Sequence, residues 1–313
     1  MIPHSKPCFR EDQIEVVADA LRRGELSRGN GVADLELVLS GMFDGAHAVV
    51  VSSGTAALYL ALAALDVYSD DAVVIPSYTC NSLYSAVGHV GADALCCDTC
   101  RDAVVPGDSE IKEVARASIK AVIIPHMFGY LADIDAVRKM GYPVIEDCAQ
   151  AIGGVFQDGS SAGSKGDISV FSFYATKLVP AGEGGACVTN NRKLAGTIRR
   201  LRNCDESAPD IRAFNFKMSD ALSYAAIQQL KDIRRIVAER NRLADEYDRT
   251  FGARSYRRIS CRPQNVCFRY LISLRETAWE KKGIDAFLEK AEREAGIQCR
   301  RPLWKPLHRS VGG

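Results

Sequence analysis

No apolar stretch of the chain approaches the roughly 20 residues that a membrane-spanning helix requires. The first residues, with Pro3, Glu11, Asp12 and Glu15, lack the basic-then-apolar order of a secretory leader. The chain therefore reads as cytosolic. It also has almost no charge imbalance: 40 Lys and Arg against 39 Asp and Glu leave a formal charge of +1, so no global field steers it toward nucleic acid or an anionic membrane. The basic cluster Arg199, Arg200 and Arg202 reads as a solvated helix face. Internal repeats and low-complexity linkers are missing. Cys97 and Cys100 have no second Cys or His pair at zinc spacing, so no metal site is expected. The 11 cysteines are an odd number, and several, such as Cys96, Cys97 and Cys187, fall inside strand-like runs. Buried free thiols fit that placement better than disulfides.

What is present is a large apolar fraction, 47% of 313 residues, in a chain long enough for a large domain and a smaller one. Between about Ala48 and Asn190, short apolar runs alternate with helical patterns. The strands are expected at Ala48 to Val51, Ala72 to Ile75, Ala94 to Cys97, Ala121 to Ile124, Pro143 to Ile145, Ile168 to Phe173 and Ala186 to Thr189. Helices are expected from Thr55 and around Asp133 to Lys139. That alternation predicts an α/β fold, a mostly parallel sheet with helices on both faces. One long helix is predicted from about Ser219 through Arg249, ending near Phe251-Gly252. A strand over Cys267 to Leu274 and a helix over Trp279 to Ala295 form a small C-terminal α/β unit. The expected domains are 1–235 and 236–313.

Three segments carry chemistry. Asp167-Ile-Ser-Val-Phe-Ser-Phe-Tyr-Ala-Thr-Lys177 is a strand pattern that ends in one lysine and runs into the glycine-rich turn Ala181-Gly-Glu-Gly-Gly185, a way to deliver an amine to a cleft; lysines so placed form Schiff bases. Pro143-Val-Ile-Glu-Asp147 puts acids at the end of another strand, where open α/β sheets bind ligands. Alternation turns Glu146 to the opposite face and leaves Asp147 for a cofactor. Ser52-Ser-Gly-Thr55 opens a helix with small residues, a cradle for a phosphate. An amine, an acid and a phosphate cradle are the anchors of pyridoxal phosphate.

The chain resembles the DegT/DnrJ/StrS sugar aminotransferases, a branch of the fold-type I pyridoxal-phosphate enzymes. The matching stretches are Ile2 to Pro7, Ser53 to Leu58, Ile75 to Thr79, Pro125 to Gly129 with Ala132 to Asp135, Val144 to Asp147 with Ala149-Gln150, and Phe171 to Phe173 with Lys177. Gly182 to Gly185, Asn215 to Met218 and Arg301 to His308 complete the set. The resemblance implies that Lys177 holds the cofactor and moves the proton, while Asp147 meets the pyridine nitrogen and Gln150 lies near the phenolic oxygen. Gly54, Thr55 and Ser172 hold the phosphate, and Asn215 reaches it across a homodimer. Tyr174 and His308, with Trp304 and Lys305, match positions near the substrate cleft; Arg269 and Arg301 are both open as anion ligands.

The implied reaction moves an amino group from an amino acid, L-glutamate, to a nucleotide-linked keto-sugar. The alternatives are a dehydratase on the same cofactor, whose pattern has histidine in place of Lys177, and a degenerate regulatory or scaffold homologue. Two departures from the pattern stand out. The residue expected to stack on the cofactor ring is Cys80, and Leu178 follows the lysine where many relatives have Asn. The region after Phe251 is short.

Overall fold

The computed structural model describes residues 1–100, 104–207, 213–255, 257–258, 266–274, 282–303 and 305–309. All seven expected strands are present: β1 (His47–Val51), β2 (Ala72–Pro76), β3 (Asp93–Cys97), β4 (Ile119–Pro125), β5 (Val144–Asp147), β6 (Ile168–Ser172) and β7 (Gly185–Thr189). They form one sheet in the order β1-β7-β6-β5-β4-β2-β3. The pairs among β6, β5, β4, β2 and β3 are parallel, and β7 runs antiparallel to both β1 and β6. A second, two-stranded sheet joins β8 (Arg257–Arg258) to β9 (Ile272–Ser273).

The helices are α1 (Glu11–Arg22), α2 (Asn30–Met42), α3 (Gly54–Ala64), α4 (Asn81–His89), α5 (Asp108–Glu113), α6 (Ile134–Arg138), α7 (Arg192–Arg202), α8 (Asp220–Lys231), α9 (Ile233–Ser255) and α10 (Ile284–Ala295). They cover both faces of the sheet, and strand alternation decides which residues meet which layer. Val49, Val51, Ala121 and Ile123 pack with Leu58, Leu62, Leu83 and Ile198 of α3, α4 and α7. On the other face Val122 and Ile124 pack with Ile111, Ile134 and Val137 of α5 and α6, while Val50 and Val188 join Leu35 and Leu39 of α2 and Leu230 of α8. Every residue of β2, β5 and β7 is buried, which is why β2 and β7 read as nearly continuous apolar runs rather than alternating ones, while β5 ends in two buried acids.

Several expectations need correction. The long helix is two helices, because Asp232 breaks it. The Asp232 amide bonds Gln229 O at 3.1 Å, a tighter turn than an α-helix, and its carbonyl accepts from Ile236 to start α9. From α1, Gln13 Nε2 donates to Gln228 O at 3.1 Å and to the Asp232 carboxylate at 3.0 Å, and Arg10 pairs with that carboxylate. A tertiary contact thus captures helix-end groups that sequence periodicity cannot see. α9 also runs on to Ser255, past Gly252.

Of the strand expected over 267–274, only Ile272–Ser273 pairs. The last helix starts at Ile284, after Gly283 at φ +85°; residues 279–281 lie outside the described residues. Arg202 is not solvated: it is buried, paired with Glu36 at 2.5 Å and bonded to Val50 O at 2.8 Å. The ten described cysteines are free, and four of them are buried. Among the described residues no helix is long and apolar enough to cross a membrane.

Candidate active site

The site lies where the parallel strands end, beside the antiparallel β6–β7 connection. Lys177 sits in that connection, which is pinned shut by Phe173 N to Gly184 O at 2.9 Å, Ala181 N to Phe173 O at 2.8 Å and Ala175 N to Gly182 O at 3.0 Å. Leu178 and Val179, which follow the lysine, are buried in the core. Leu178 is therefore an apolar anchor, where a polar residue would lack partners. The glycine-rich turn is closely packed at Gly184 and Gly185. A Cβ on Gly185 would stand 2.5 Å from the Ser53 carbonyl group, and one on Gly184 would stand 2.6 Å from Met218 Cε.

The residues expected to cradle a phosphate lie at the N-terminus of α3. Ser53 caps α3, its Oγ accepting from Ala56 N at 3.1 Å. Gly54 follows with its α-carbon against Ser172: a Cβ there would lie 2.8 Å from Ser172 Cβ. Gly54, Thr55 and Ser172 thus come together at one helix N-terminus. The preceding turn is held by Ser52 N donating to Phe216 O at 2.8 Å. Asn215, one residue from that carbonyl, is exposed, with Phe214 and Phe216 stacked at 4.9 Å on either side of it in the chain.

Asp147, at the end of β5, is buried, and its carboxylate accepts from Ala149 N at 2.9 Å. Burial pushes its pKa up, while the Ala149 amide and the charge of Lys177 pull it back. Burial pushes Lys177 down from the ordinary lysine range; Asp147 and Cys80 oppose that shift and Arg269 adds to it. An amine so placed sheds its proton more readily than an exposed one, and the acid and the amine are electrostatically coupled. Cys80 is exposed at the start of α4, 3.1 Å from Ser82 Oγ. Gln150 Oε1 accepts from Phe128 N at 2.7 Å, holding a residue at φ +58°, and leaves the amide NH2 with only a 3.7 Å contact to Met127 Sδ. That amide remains able to donate.

Glu146 points the other way, and no solvent reaches it. It accepts from Gly163, Lys165 and Gly166 amides at 2.7, 3.0 and 2.8 Å, from Ser169 Oγ at 3.3 Å and from His126 Nε2 at 2.9 Å. Burial works to raise its carboxyl, but the His126 bond and these amides outweigh it and hold the pKa below the usual value. His126 Nδ1 accepts from Ala132 N at 3.1 Å, so its proton sits on Nε2. His126, Glu146 and Cys148 are the one group of metal-ligand atoms within 4.8 Å of each other among the described residues. Both imidazole nitrogens are already bonded, the carboxylate takes five donors, and burial keeps the Cys148 thiol protonated. The set is a hydrogen-bonded core rather than a metal centre.

Of the expected substrate residues, Tyr174 is exposed beside Gly182, and His308 Nδ1 bonds Ser77 Oγ at the end of β2. Lys305 is exposed and Trp304 lies outside the described residues. Arg301 pairs with Asp285 at 2.7 Å. Two residues escaped the sequence reading. His126 lies in the Pro125 to Gly129 stretch without an assigned role, and its amide bonds Asp147 O at 3.0 Å. Phe268 places its ring 5.8 Å from Lys177 Nζ; nothing in its local sequence marks it, because a tertiary contact carries it there.

Comparison with known proteins bears on the family and the fold. A GDP-perosamine synthase from Vibrio cholerae is 29% identical over 257 residues, 79% of this chain and 70% of that protein. The aminotransferase TlmJ of Streptoalloteichus hindustanus superposes with a TM-score of 0.90 at 25% identity, covering 98% of this chain and 86% of that one. DesV of S. venezuelae superposes at 0.86, also with 25% identity, over 95% and 81% of the two chains. The profile of the DegT/DnrJ/EryC1/StrS aminotransferase family matches residues 7–311. The chain belongs to that family, and its fold is that of the pyridoxal-phosphate-dependent sugar aminotransferases.

Proposed function

We propose that this chain is a pyridoxal-phosphate-dependent aminotransferase that takes the amino group of an amino acid, L-glutamate, and delivers it to a nucleotide-linked keto-sugar. The observation that carries the reading is the coupled pair of Lys177 and Asp147 beside a cradle that only a glycine at position 54 leaves open. The residues fit the group: cationic ring nitrogen to Asp147, phenolic oxygen to the free Gln150 amide, phosphate to Gly54, Thr55 and Ser172. Bound there, pyridoxal phosphate supplies an electron sink for the carbon that loses its proton.

Each residue then has one role. Lys177 Nζ anchors the cofactor, takes the proton from the donor Cα and returns it on the cofactor side, which requires the unprotonated amine its burial favours. Asp147 keeps a proton on the ring nitrogen. Gln150 donates to the phenolic oxygen, and Cys80 offers a polarizable face to the ring. Asn215, exposed beside the cradle, extends to the phosphate of a second copy in a homodimer. Tyr174 and His308 line the approach of the sugar. The break at Asp232 supports a domain boundary near 235, and ten free thiols support a cytoplasmic setting. Lys177 speaks against the dehydratase, and the intact set against a degenerate scaffold.

The test is an absorbance spectrum with added pyridoxal phosphate, before and after borohydride, for the wild type and Lys177→Ala. The expected result is a visible band that glutamate bleaches and that the variant lacks, with activity reduced about a thousandfold or more. A wild type without the band at saturating cofactor would sink the reading.

A further inference from the structure

Two guanidinium groups that have no carboxylate partner among the described residues meet at Phe268, whose ring lies against Lys177. Arg269 Cζ lies 4.3 Å from the centroid of the Phe268 ring, the same ring that Lys177 Nζ approaches to 5.8 Å. Arg240, from α9, reaches the same place: its Nη1 and Arg269 Nη1 each donate to Phe268 O at 3.2 Å. A guanidinium has five N–H donors, so that one carbonyl uses one from each arginine. Among the described residues neither has an ion-pair partner, whereas the buried Arg202 has Glu36 and Arg301 has Asp285. Among the described residues Arg202 Nε is the one fully buried side-chain donor left unbonded, so the unused N–H groups of Arg240 and Arg269 open toward space that solvent reaches.

The surroundings add positive charge; the one group that acts the other way on both arginines is the Cys267 thiol, and no carboxylate does. His4 and Arg300 lie close to Arg269, and burial, with both arginines, lowers the His4 pKa and favours its neutral form. Burial and the neighbouring Arg240 push Arg269 down to about 10, which still leaves it charged at neutral pH. Asp147 is the one carboxylate that acts on Lys177, and the aminotransferase reading commits it to the ring nitrogen. The 266–269 segment is held firmly enough to seat a ligand, since Phe268 N bonds Phe128 O at 3.2 Å and Cys267 N bonds Asn241 Oδ1 at 2.9 Å.

We propose that Arg269, backed by Arg240, is the seat of the amino donor's α-carboxylate. The proposal rests on the aminotransferase reading and resolves its open choice between Arg269 and Arg301. A planar fork of donors matches a carboxylate in two parallel hydrogen bonds. An arginine within reach of Lys177 suits the donor's carboxylate, and the nucleotide arm of the test separates that ligand from the acceptor's diphosphate. Lys177 Nζ and Arg269 Cζ can be no further apart than the two ring distances laid end to end. The α-carboxylate is bonded directly to the carbon whose proton Lys177 moves, while a diphosphate stands on the far side of the sugar ring from the carbon that is aminated.

Calorimetric titration of the cofactor-loaded protein with glutarate, a dicarboxylate without an amino group to react, tests this in wild type, Arg269→Met, Arg269→Lys and Arg240→Met. UDP and GDP serve as the diphosphate arm. The expected result is a loss of about tenfold or more in glutarate affinity in Arg269→Met, partial retention in Arg269→Lys, a smaller loss in Arg240→Met, and unchanged nucleotide affinity. In the glutamate half-reaction KM rises by a similar factor while the maximal rate changes little. Unchanged glutarate affinity in Arg269→Met and Arg240→Met overturns the proposal, and so does a loss of nucleotide affinity instead, which would give the seat to the acceptor's phosphates. The cofactor band is read separately in every variant: its absence from the wild type counts against the aminotransferase reading, not against the anion seat.

Discussion

Glu146 and Asp147 are neighbours in one strand, yet they serve two regions of opposite character. Glu146 closes a dry network of five donors that ties β5 to the 163–166 turn and to His126. Asp147 opens onto the cleft with a single amide donor and the charge of Lys177. Adjacent carboxylates, both buried, thus diverge, because strand geometry turns one toward a full set of donors and leaves the other with lone pairs to spare. A saturated acid stabilises; an undersaturated one can still accept hydrogen bonds, at some cost in stability.

The largest effect that would test this contrast is on the closed side. Glu146→Ala strands five buried donors and is expected to cost about 3–5 kcal/mol, a fall of roughly 10 °C in Tm; calorimetry showing less than about 1 kcal/mol would show that the network is not structural. Asp147→Asn should do the reverse. Activity falls roughly a hundredfold while the fold gains stability at neutral pH.

The signs differ with pH as well. The Asp147 pKa is raised above 3.8, so its ionisation costs stability as pH rises through the raised value, and the advantage of Asn vanishes below the ordinary carboxylate range. The Glu146 pKa is lowered from 4.5, so its contribution is complete above that value and is lost as pH falls through the folded one. Denaturation of the two variants at pH 7 and pH 3 separates them; Asp147→Asn less stable than wild type at pH 7 would contradict the account.

Gly54→Ala sharpens the comparison from the cradle. The added methyl meets Ser172 Cβ at 2.8 Å, and a cost of about 1–3 kcal/mol with weakened cofactor retention is expected; retention equal to wild type in an equilibrium dialysis would mean that the cradle is not the phosphate site. The smallest effect is expected at Cys80, which is exposed. Cys80→Ala should leave stability within about 0.5 kcal/mol and loosen the cofactor only slightly, as its absorbance titration would report. A large loss of affinity would make the sulfur a principal contact.

Much of this was legible in the chain. Seven strands, their α/β alternation, the lysine at a strand end, the acids that end β5 and the small residues that open α3 all follow from local patterning, because strands covered on both faces are largely apolar, so that two acids in one stand out, and side chains alternate along a strand. Where local pattern failed, a distant residue had intervened. α1 captured the helix ends at Asp232, Glu36 drew Arg202 into the interior, and Ser53 made Gly185 a matter of close packing rather than flexibility.

The sequence by itself determined the fold class, the family and which residue types stand at the end of β5, after β6 and at the start of α3, since each depends on residue type and short-range spacing. Only the tertiary structure decided that His126 serves Glu146, that Phe268 lies against Lys177, and that among the described residues Arg269 has no ion-pair partner while Arg301 has one. Those are statements about charges and rings far apart along the chain. Their energies depend on burial and on the partner across the gap, and no local pattern encodes either.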